Sequence, residues 1–202
     1  EFRRVLFRSR GQILYRIAEM MEGRREQFVA EIMAMEGATK SAAERQVTEA
    51  IDLWVWYAGW SDKLSSSSGS TNQISGPYYN FTSPEPLGVV AVIAPEKLSL
   101  LGFVHAVAPV VVAGNTCVAI ASERYPLAAM TLAEVIATSD VPAGVINILT
   151  GVKNELLPWV ASHMEIDGID ISGVDAKTEI DLRISGSENL KRIHRRSEEH
   201  TS

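Results

Sequence analysis

Apolar residues recur at helical spacing through the first third of the chain. Ile13, Ile17 and Met21 are four residues apart, and Phe28 and Ile32 continue the same stripe. Because residues four apart lie on one face of a helix, this pattern predicts one long amphipathic helix. A glycine often follows the last helical residue, so we expect this helix to end at Gly37.

A second apolar stripe follows over residues 41–64 and predicts a second helix. Val47, Ile51, Trp54 and Ala58 share one of its faces. Several aromatic residues lie near the end of this helix, in the segment WVWYAGW. They are compatible with a ligand-binding box, but aromatic side chains most often bury a helix face, and we interpret them as packing against a sheet.

The next segment changes character from polar to strand-like. Ser65–Ser70 (SSSSGS) has no core-forming residues and predicts a polar linker. The following GPYYNFT has the alternation and composition of a strand at a sheet edge or of an extended arm.

From residue 88 onward, short apolar runs alternate with helical segments. The predicted strands are 88–94, 116–121, 145–149 and 166–171, and the predicted helices are 98–113, 127–139, 152–163 and 175–184. Strands that alternate with helices at this spacing form βαβ units around a parallel sheet. The predicted fold class is α/β: a Rossmann-like parallel sheet with flanking helices, preceded by two helices and an edge arm.

The two chain ends share an unusual relation. Arg3–Ser9 and Arg196–Ser202 can be encoded by opposite strands of one oligonucleotide, which resembles a sequencing adapter. We therefore exclude 1–9 and 196–202 from fold reasoning. Residues 10–195 are expected to be part of one domain, helical over 10–64, with a linker and arm over 65–86 and βα units over 87–195.

Composition narrows the possible partners and the compartment. The chain has 25 acidic and 19 basic residues and a formal net charge of −6, which argues against nucleic acid or an anionic membrane as a partner. No segment resembles a signal peptide or an apolar membrane span, so we expect a cytoplasmic protein. The single cysteine, Cys117, lies inside a predicted buried strand, where we expect an inert, packed thiol.

Ligands of open α/β sheets bind at the carboxyl ends of the strands, where helix N-termini offer N–H groups to phosphate. The turns that follow the four predicted strands are Pro95–Leu98, Ser122–Pro126, Thr150-Gly151 and Ser172–Asp175. The chain has no GxGxxG motif there, so glycine spacing alone gives a weak dinucleotide signal. The charged pair Glu96-Lys97 directly follows the first apolar strand.

The order of several segments resembles the cofactor-binding domain of the aldehyde dehydrogenase family. The segments are YAGWSDK, EPLGVVAVIAP, APVVVAGNTCVAIASERYP, DVPAGVINILTG, IDISG and NLKRI. The stretch from Ser122 to Gly151 is most similar to the second module of tandem, two-module (family sixteen) members. The resemblance implies NAD or NADP as cofactor, a small-molecule aldehyde as substrate of the parent protein, and a homo-oligomer or tandem-module partner.

The resemblance also assigns positions to a candidate cofactor site. Lys97 stands where the family has the asparagine that stabilises the oxyanion, and Glu96 stands in place of a tryptophan. Ile120 replaces a lysine that binds the adenosine ribose, and Val174 replaces a serine of the fourth turn. The family's further glycine, five residues after Gly173, is Thr178 in this chain. The candidate cofactor-binding residues are Ala94, Glu96, Lys97, Glu123, Gly151, Gly173 and Val174; no catalytic residue is assigned, because the family's nucleophilic Cys and general-base Glu would follow residue 195.

Two main functions remain open at this point. The chain is either part of a working NAD(P)-dependent aldehyde dehydrogenase or a degenerate, non-catalytic module on the same fold. The replacements favour degeneracy, because Ile120 and Val174 cannot donate to ribose or phosphate oxygens. A third interpretation, in which Glu96 and Lys97 bind another small ligand, competes with a simple solvent-facing ion pair between them.

Overall fold

A computed structural model describes residues 7–195. Of the predicted adapter residues 1–9 and 196–202, residues 1–6 and 196–202 lie outside this range, whereas 7–9 begin the first helix. The helices are α1 Phe7–Glu22, α2 Arg25–Glu36, α3 Lys40–Trp60, α4 Leu64–Ser68, α5 Ser99–Val112, α6 Leu127–Thr138, α7 Lys153–Ser162 and α8 Ala176–Ser187. The strands are β1 Ser70–Thr71, β2 Phe81–Thr82, β3 Val89–Ile93, β4 Thr116–Ile120, β5 Ile146–Leu149, β6 Gly168–Asp170 and β7 Arg192–His194.

The predicted long first helix is wrong, because the chain breaks it into α1 and α2 at Gly23 and Arg24. Glycine is a poor helix former, and the Arg24 N–H turns back to the carbonyl of Met21 at 3.0 Å. The predicted end at Gly37 is confirmed. Gly37 has a φ of 68°, and its N–H closes the last turn of α2 on the Met33 carbonyl.

Helix α3 begins at a Thr39 cap, whose hydroxyl accepts the Ala42 N–H at 3.3 Å. Its main packing partners are α1, α2 and α5, so the prediction that this helix packs chiefly against the sheet is wrong. Of its aromatic residues only Trp54 is fully buried in the core. Trp56 is exposed and contacts two rings of its own helix: its centroid lies 4.8 Å from that of Tyr57, edge to face, and 5.5 Å from that of Trp60.

The segment predicted as a polar linker forms the short helix α4 and the start of strand β1, and neither element has a buried residue. Strand β1 pairs antiparallel with β2, with Ser70 opposite Thr82. The arm strand expected over GPYYNFT is therefore limited to its last two residues. Tyr78, Tyr79 and Phe81 project from this arm with most of their surface exposed.

The predicted parallel sheet is confirmed, with the order β5-β4-β3-β6-β7 and every neighbouring pair parallel. β3 lies at the centre. Val90 and Val92 face a large core covered by α1, α3, α5 and α6, while Ala91 and Ile93 face a smaller core under α7 and α8. The chain proceeds outward from β3 to β5 and then crosses back to β6, which creates a switch point beside β3.

Within the described range, no helix is both long enough and apolar enough to cross a membrane.

Candidate functional site

The turns after β3, β4 and β6 meet at the carboxyl edge of the sheet, at the switch point. We call this group of turns, together with the start of α7, the crevice. Gly173 brings the turn after β6 so close to the end of β3 that an added Cβ would collide with the carbonyl oxygens of Ile93 and Ala94. The glycine is therefore required for packing of the backbone at the crevice floor.

Glu96 lies at the centre of the crevice, and its carboxylate accepts four hydrogen bonds. The Ser122 hydroxyl donates at 2.7 Å, the Arg124 N–H at 3.1 Å and the Glu123 N–H at 3.3 Å. The fourth donor is the Lys153 ammonium, which forms an ion pair with the carboxylate. All three turn donors belong to the segment that follows β4, so this carboxylate joins the ends of β3 and β4.

Lys153 is the functional residue that sequence reasoning missed. It is the first residue of α7, and its side chain, only 11% exposed, reaches across the crevice. Besides Glu96, its ammonium donates to the carbonyl of Ala94 at 2.7 Å and to that of Gly173 at 3.5 Å. One lysine thus joins the ends of β3 and β6. Its position two residues after Gly151, at the start of a predicted helix, was the signal in the sequence, but no local pattern identifies Glu96 as its partner.

The ion pair changes the acidity of Glu96. Burial alone would raise the pKa of this carboxyl, but hydrogen bonds from Lys153, Ser122 and the Arg124 N–H stabilise the charged form more strongly. The pKa of Glu96 is therefore lowered from 4.5 to about 2. The carboxylate stays ionised at neutral pH.

Several N–H groups at the starts of α7 and α8 also bind acceptors within the chain. Glu123 accepts the Lys153 N–H at 2.8 Å, so it caps α7. Asp175 caps α8 and accepts the N–H groups of Lys177 and Thr178, each at 2.9 Å. The expectation that these helix starts offer free N–H groups to phosphate is wrong for these donors.

Helix α5 is capped in the same way by residues that lie far away in the sequence. Glu36 accepts the N–H of Ser99 at 2.9 Å and its hydroxyl at 2.5 Å. The Gln46 side-chain oxygen accepts the N–H groups of Leu100 at 3.1 Å and Leu101 at 3.4 Å. The N-terminal donors of α5 therefore bind the α2–α3 region of the same chain.

The structure brings four of the predicted site residues together around Lys153: Ala94, Glu96, Glu123 and Gly173. Gly151 lies in the turn just before α7. Val174 instead packs against the small core under α7 and α8, and Lys97 is exposed. The interpretation of Glu96 and Lys97 as a solvent-facing ion pair is wrong, because Lys153 is the partner of Glu96.

Cys117 is fully buried in β4, as predicted. Burial, with a smaller contribution from the charge of Asp170, raises the pKa of the thiol, so the reactive thiolate is suppressed. Within residues 7–195, no cluster of three or more His, Cys, Asp or Glu side chains could hold a metal ion.

Comparison with known proteins assigns the family. The model described as "Aldehyde dehydrogenase family" matches residues 1–195. The chain belongs to the aldehyde dehydrogenase family. Human retinal dehydrogenase 2 is 33% identical over 194 residues, which cover 95% of this chain and 37% of that protein. Hydroxyisobutyraldehyde dehydrogenase of Mycolicibacterium austroafricanum is also 33% identical, over 92% of this chain and 36% of that protein.

Solved structures share the fold. A variant of betaine aldehyde dehydrogenase from Staphylococcus aureus, in complex with NAD+, superimposes with a TM-score of 0.88. The match covers 96% of this chain and 39% of that one at 24% sequence identity. The chain therefore spans well under half the length of the relatives that it matches, and the α/β fold predicted from the sequence is confirmed.

Proposed function

We propose that this chain is part of an aldehyde dehydrogenase family oxidoreductase and that its own cofactor crevice has lost the ability to bind NAD or NADP. The parent protein would oxidise an aldehyde to a carboxylic acid through another module. This module, most similar to the second module of tandem members, would contribute fold and assembly. A cytoplasmic location stays part of the same proposal.

One observation carries the proposal: the crevice is filled by a neutralised pair of its own side chains. The donors of the turn after β4 point at the Glu96 carboxylate, and the Lys153 ammonium joins the turns that follow β3 and β6. An anionic dinucleotide would have to displace this pair or approach its carboxylate, and either change costs free energy.

The surrounding residues do not fit the nicotinamide cofactor either. Ile120 is fully buried in the small core under α7 and α8, and Val174 packs against that core. The resemblance places a lysine and a serine at these two positions. Two apolar side chains that belong to the core cannot donate hydrogen bonds to ribose or phosphate oxygens.

Calorimetric titration of the 202-residue chain with NAD and with NADP tests the proposal directly. We expect no saturable heat for either cofactor. A dissociation constant below about 100 µM, which corresponds to more than ~5 kcal/mol of binding free energy, would overturn the proposal.

A second candidate function is a working cofactor-binding segment. The observation that favours it is the Lys153 ammonium, a cation at the switch point that would attract an anionic cofactor, together with the retained Glu123. The same titration separates the two candidates, since this one requires saturable binding.

We propose further that the parent protein assembles, either with copies of itself or with a tandem module. The arm carries Tyr78, Tyr79 and Phe81 on its surface, and α3 presents Trp56 to solvent. Exposed aromatic surface of this kind is typical of faces covered by a partner. Light scattering of the intact parent protein should give a mass above that of one chain, and a monomer would contradict this part of the proposal.

A further inference from the structure

Three donors of one turn converge on a single point in the crevice. The Ser122 hydroxyl, the Glu123 N–H and the Arg124 N–H all donate to the Glu96 carboxylate, at 2.7, 3.3 and 3.1 Å. The Tyr125 N–H in turn donates to the Ser122 oxygen at 3.0 Å, which leaves the hydroxyl proton free for Glu96. The turn is thus organised around a negatively charged group.

Lys153 supplies a positive charge at the same point, and its position does not depend on Glu96 alone. Its ammonium also donates to the Ala94 carbonyl at 2.7 Å, and its backbone N–H is held by Glu123. Two backbone N–H groups, one hydroxyl and one ammonium form the set of donors that binds a phosphate or another small oxyanion.

The carboxylate that occupies this set comes from a different part of the chain. Glu96 belongs to the turn after β3, 26 residues before Ser122, whereas the turn donors follow β4. Its side chain is 34% exposed, so solvent reaches the carboxylate from outside. Removing the carboxylate would leave these donors without their acceptor and would open the position to solvent.

We propose that Glu96 is an intramolecular oxyanion that closes the crevice, and that loss of its carboxylate exposes a binding site for free phosphate. This inference rests on the proposed loss of cofactor binding and names the residue that causes it. In the native chain the Glu96 carboxylate accepts these hydrogen bonds, and its charge neutralises that of Lys153. The crevice therefore keeps the hydrogen-bond donors of an oxyanion site, and the Glu96 carboxylate of the same chain occupies them.

Amide NMR of the 202-residue chain, titrated with inorganic phosphate, tests this inference. In Glu96→Ala, the N–H signals of Glu123 and Arg124 should shift with added phosphate and reach saturation. The dissociation constant should be at least about tenfold lower than that of any response of the native chain. Glu155→Ala is the matched control. It removes the same charge from the exposed first turn of α7 without freeing the turn donors, and it should behave like the native chain.

Two further variants keep the inference falsifiable if Glu96→Ala fails to fold. Glu96→Gln keeps the size of the side chain and should show weaker but saturable phosphate binding. Adding Lys153→Met to either variant should abolish that binding, because the ammonium is lost.

The outcomes separate this inference from the proposed function. If folded Glu96→Ala and Glu96→Gln show no saturable shifts at the two N–H groups, Glu96 is not the occupant of an oxyanion site, even when the native chain binds no cofactor. If the native chain itself binds NAD, the proposed function fails, and the closure that this inference assigns to Glu96 fails with it.

Discussion

The Glu96–Lys153 ion pair should contribute measurably to stability, and the contribution should depend on pH. The pKa of Glu96 lies at about 2 in the folded chain, against 4.5 ordinarily. The whole difference would correspond to about 3 kcal/mol at roughly 1.4 kcal/mol per unit of pKa, and solvent screening of a side chain one-third exposed reduces this to about 1–2 kcal/mol. We therefore expect Glu96→Gln to lower the free energy of unfolding by about 1–2 kcal/mol at pH 7.

The pH at which this difference disappears follows from the sign of the pKa change. A carboxyl whose pKa is lowered by folding stabilises the native state above its unfolded pKa, and this stabilisation is lost as the pH falls through the folded pKa. The difference between native chain and Glu96→Gln should be constant from pH 7 to about pH 5 and should shrink between pH 4.5 and about 2.

Urea unfolding at pH 7, 5, 4 and 3, followed by circular dichroism, measures both quantities. Glu155→Gln is the control, because it removes an exposed carboxyl from the start of α7 and should change the free energy of unfolding by less than about 0.5 kcal/mol. A double-mutant cycle with Lys153→Met should give a coupling energy of about 1–3 kcal/mol. The reasoning is refuted if Glu96→Gln costs no more than the control, or if its cost persists undiminished at pH 3.

Three further predictions concern packing. Gly173→Ala should lower the free energy of unfolding, measured by thermal unfolding, by about 1–3 kcal/mol, because the added methyl meets the carbonyl oxygens of Ile93 and Ala94. Gly59→Ala is the control: its Cβ meets nothing within 4 Å, so the same measurement should show a neutral or stabilising effect. In urea unfolding, Trp54→Ala should lower the free energy of unfolding by about 3–5 kcal/mol, and Trp56→Ala, at an exposed position, by less than about 0.5 kcal/mol. Equal losses for the two variants would contradict the burial of Trp54 in the core. Cys117 should resist iodoacetamide until the chain unfolds, and rapid alkylation of the native chain, detected by mass spectrometry, would contradict its burial.

The βα half of the fold could be predicted because its signals are local. The run over 88–94 is apolar on both faces, as a central strand requires, and the structure places β3 at Val89–Ile93. The break between α1 and α2 could not be predicted from periodicity, because both helices bury apolar residues in the same core and the stripe continues across Gly23. A helical pattern shows which face is buried and not whether the axis is continuous.

The candidate site shows the complementary limit. The sequence placed Glu96 at the right edge of the sheet but paired it with its neighbour Lys97. Its partner is Lys153, which lies in another turn and also reaches the Ala94 carbonyl 59 residues away in sequence. A side chain's partner across a crevice is set by the strand order, and no local pattern in the sequence specifies the strand order.

The unequal cores on the two faces of the sheet have a consequence for motion. The face under α7 and α8 has far fewer buried side chains than the face under the other helices. Amide hydrogens on α7 and α8 should therefore exchange with solvent through local openings long before those of α3 and α5. The Lys153 ammonium connects α7 to the Ala94 carbonyl at the end of β3. The amide exchange rate of α7 therefore measures how often the contacts of Lys153 across the crevice break.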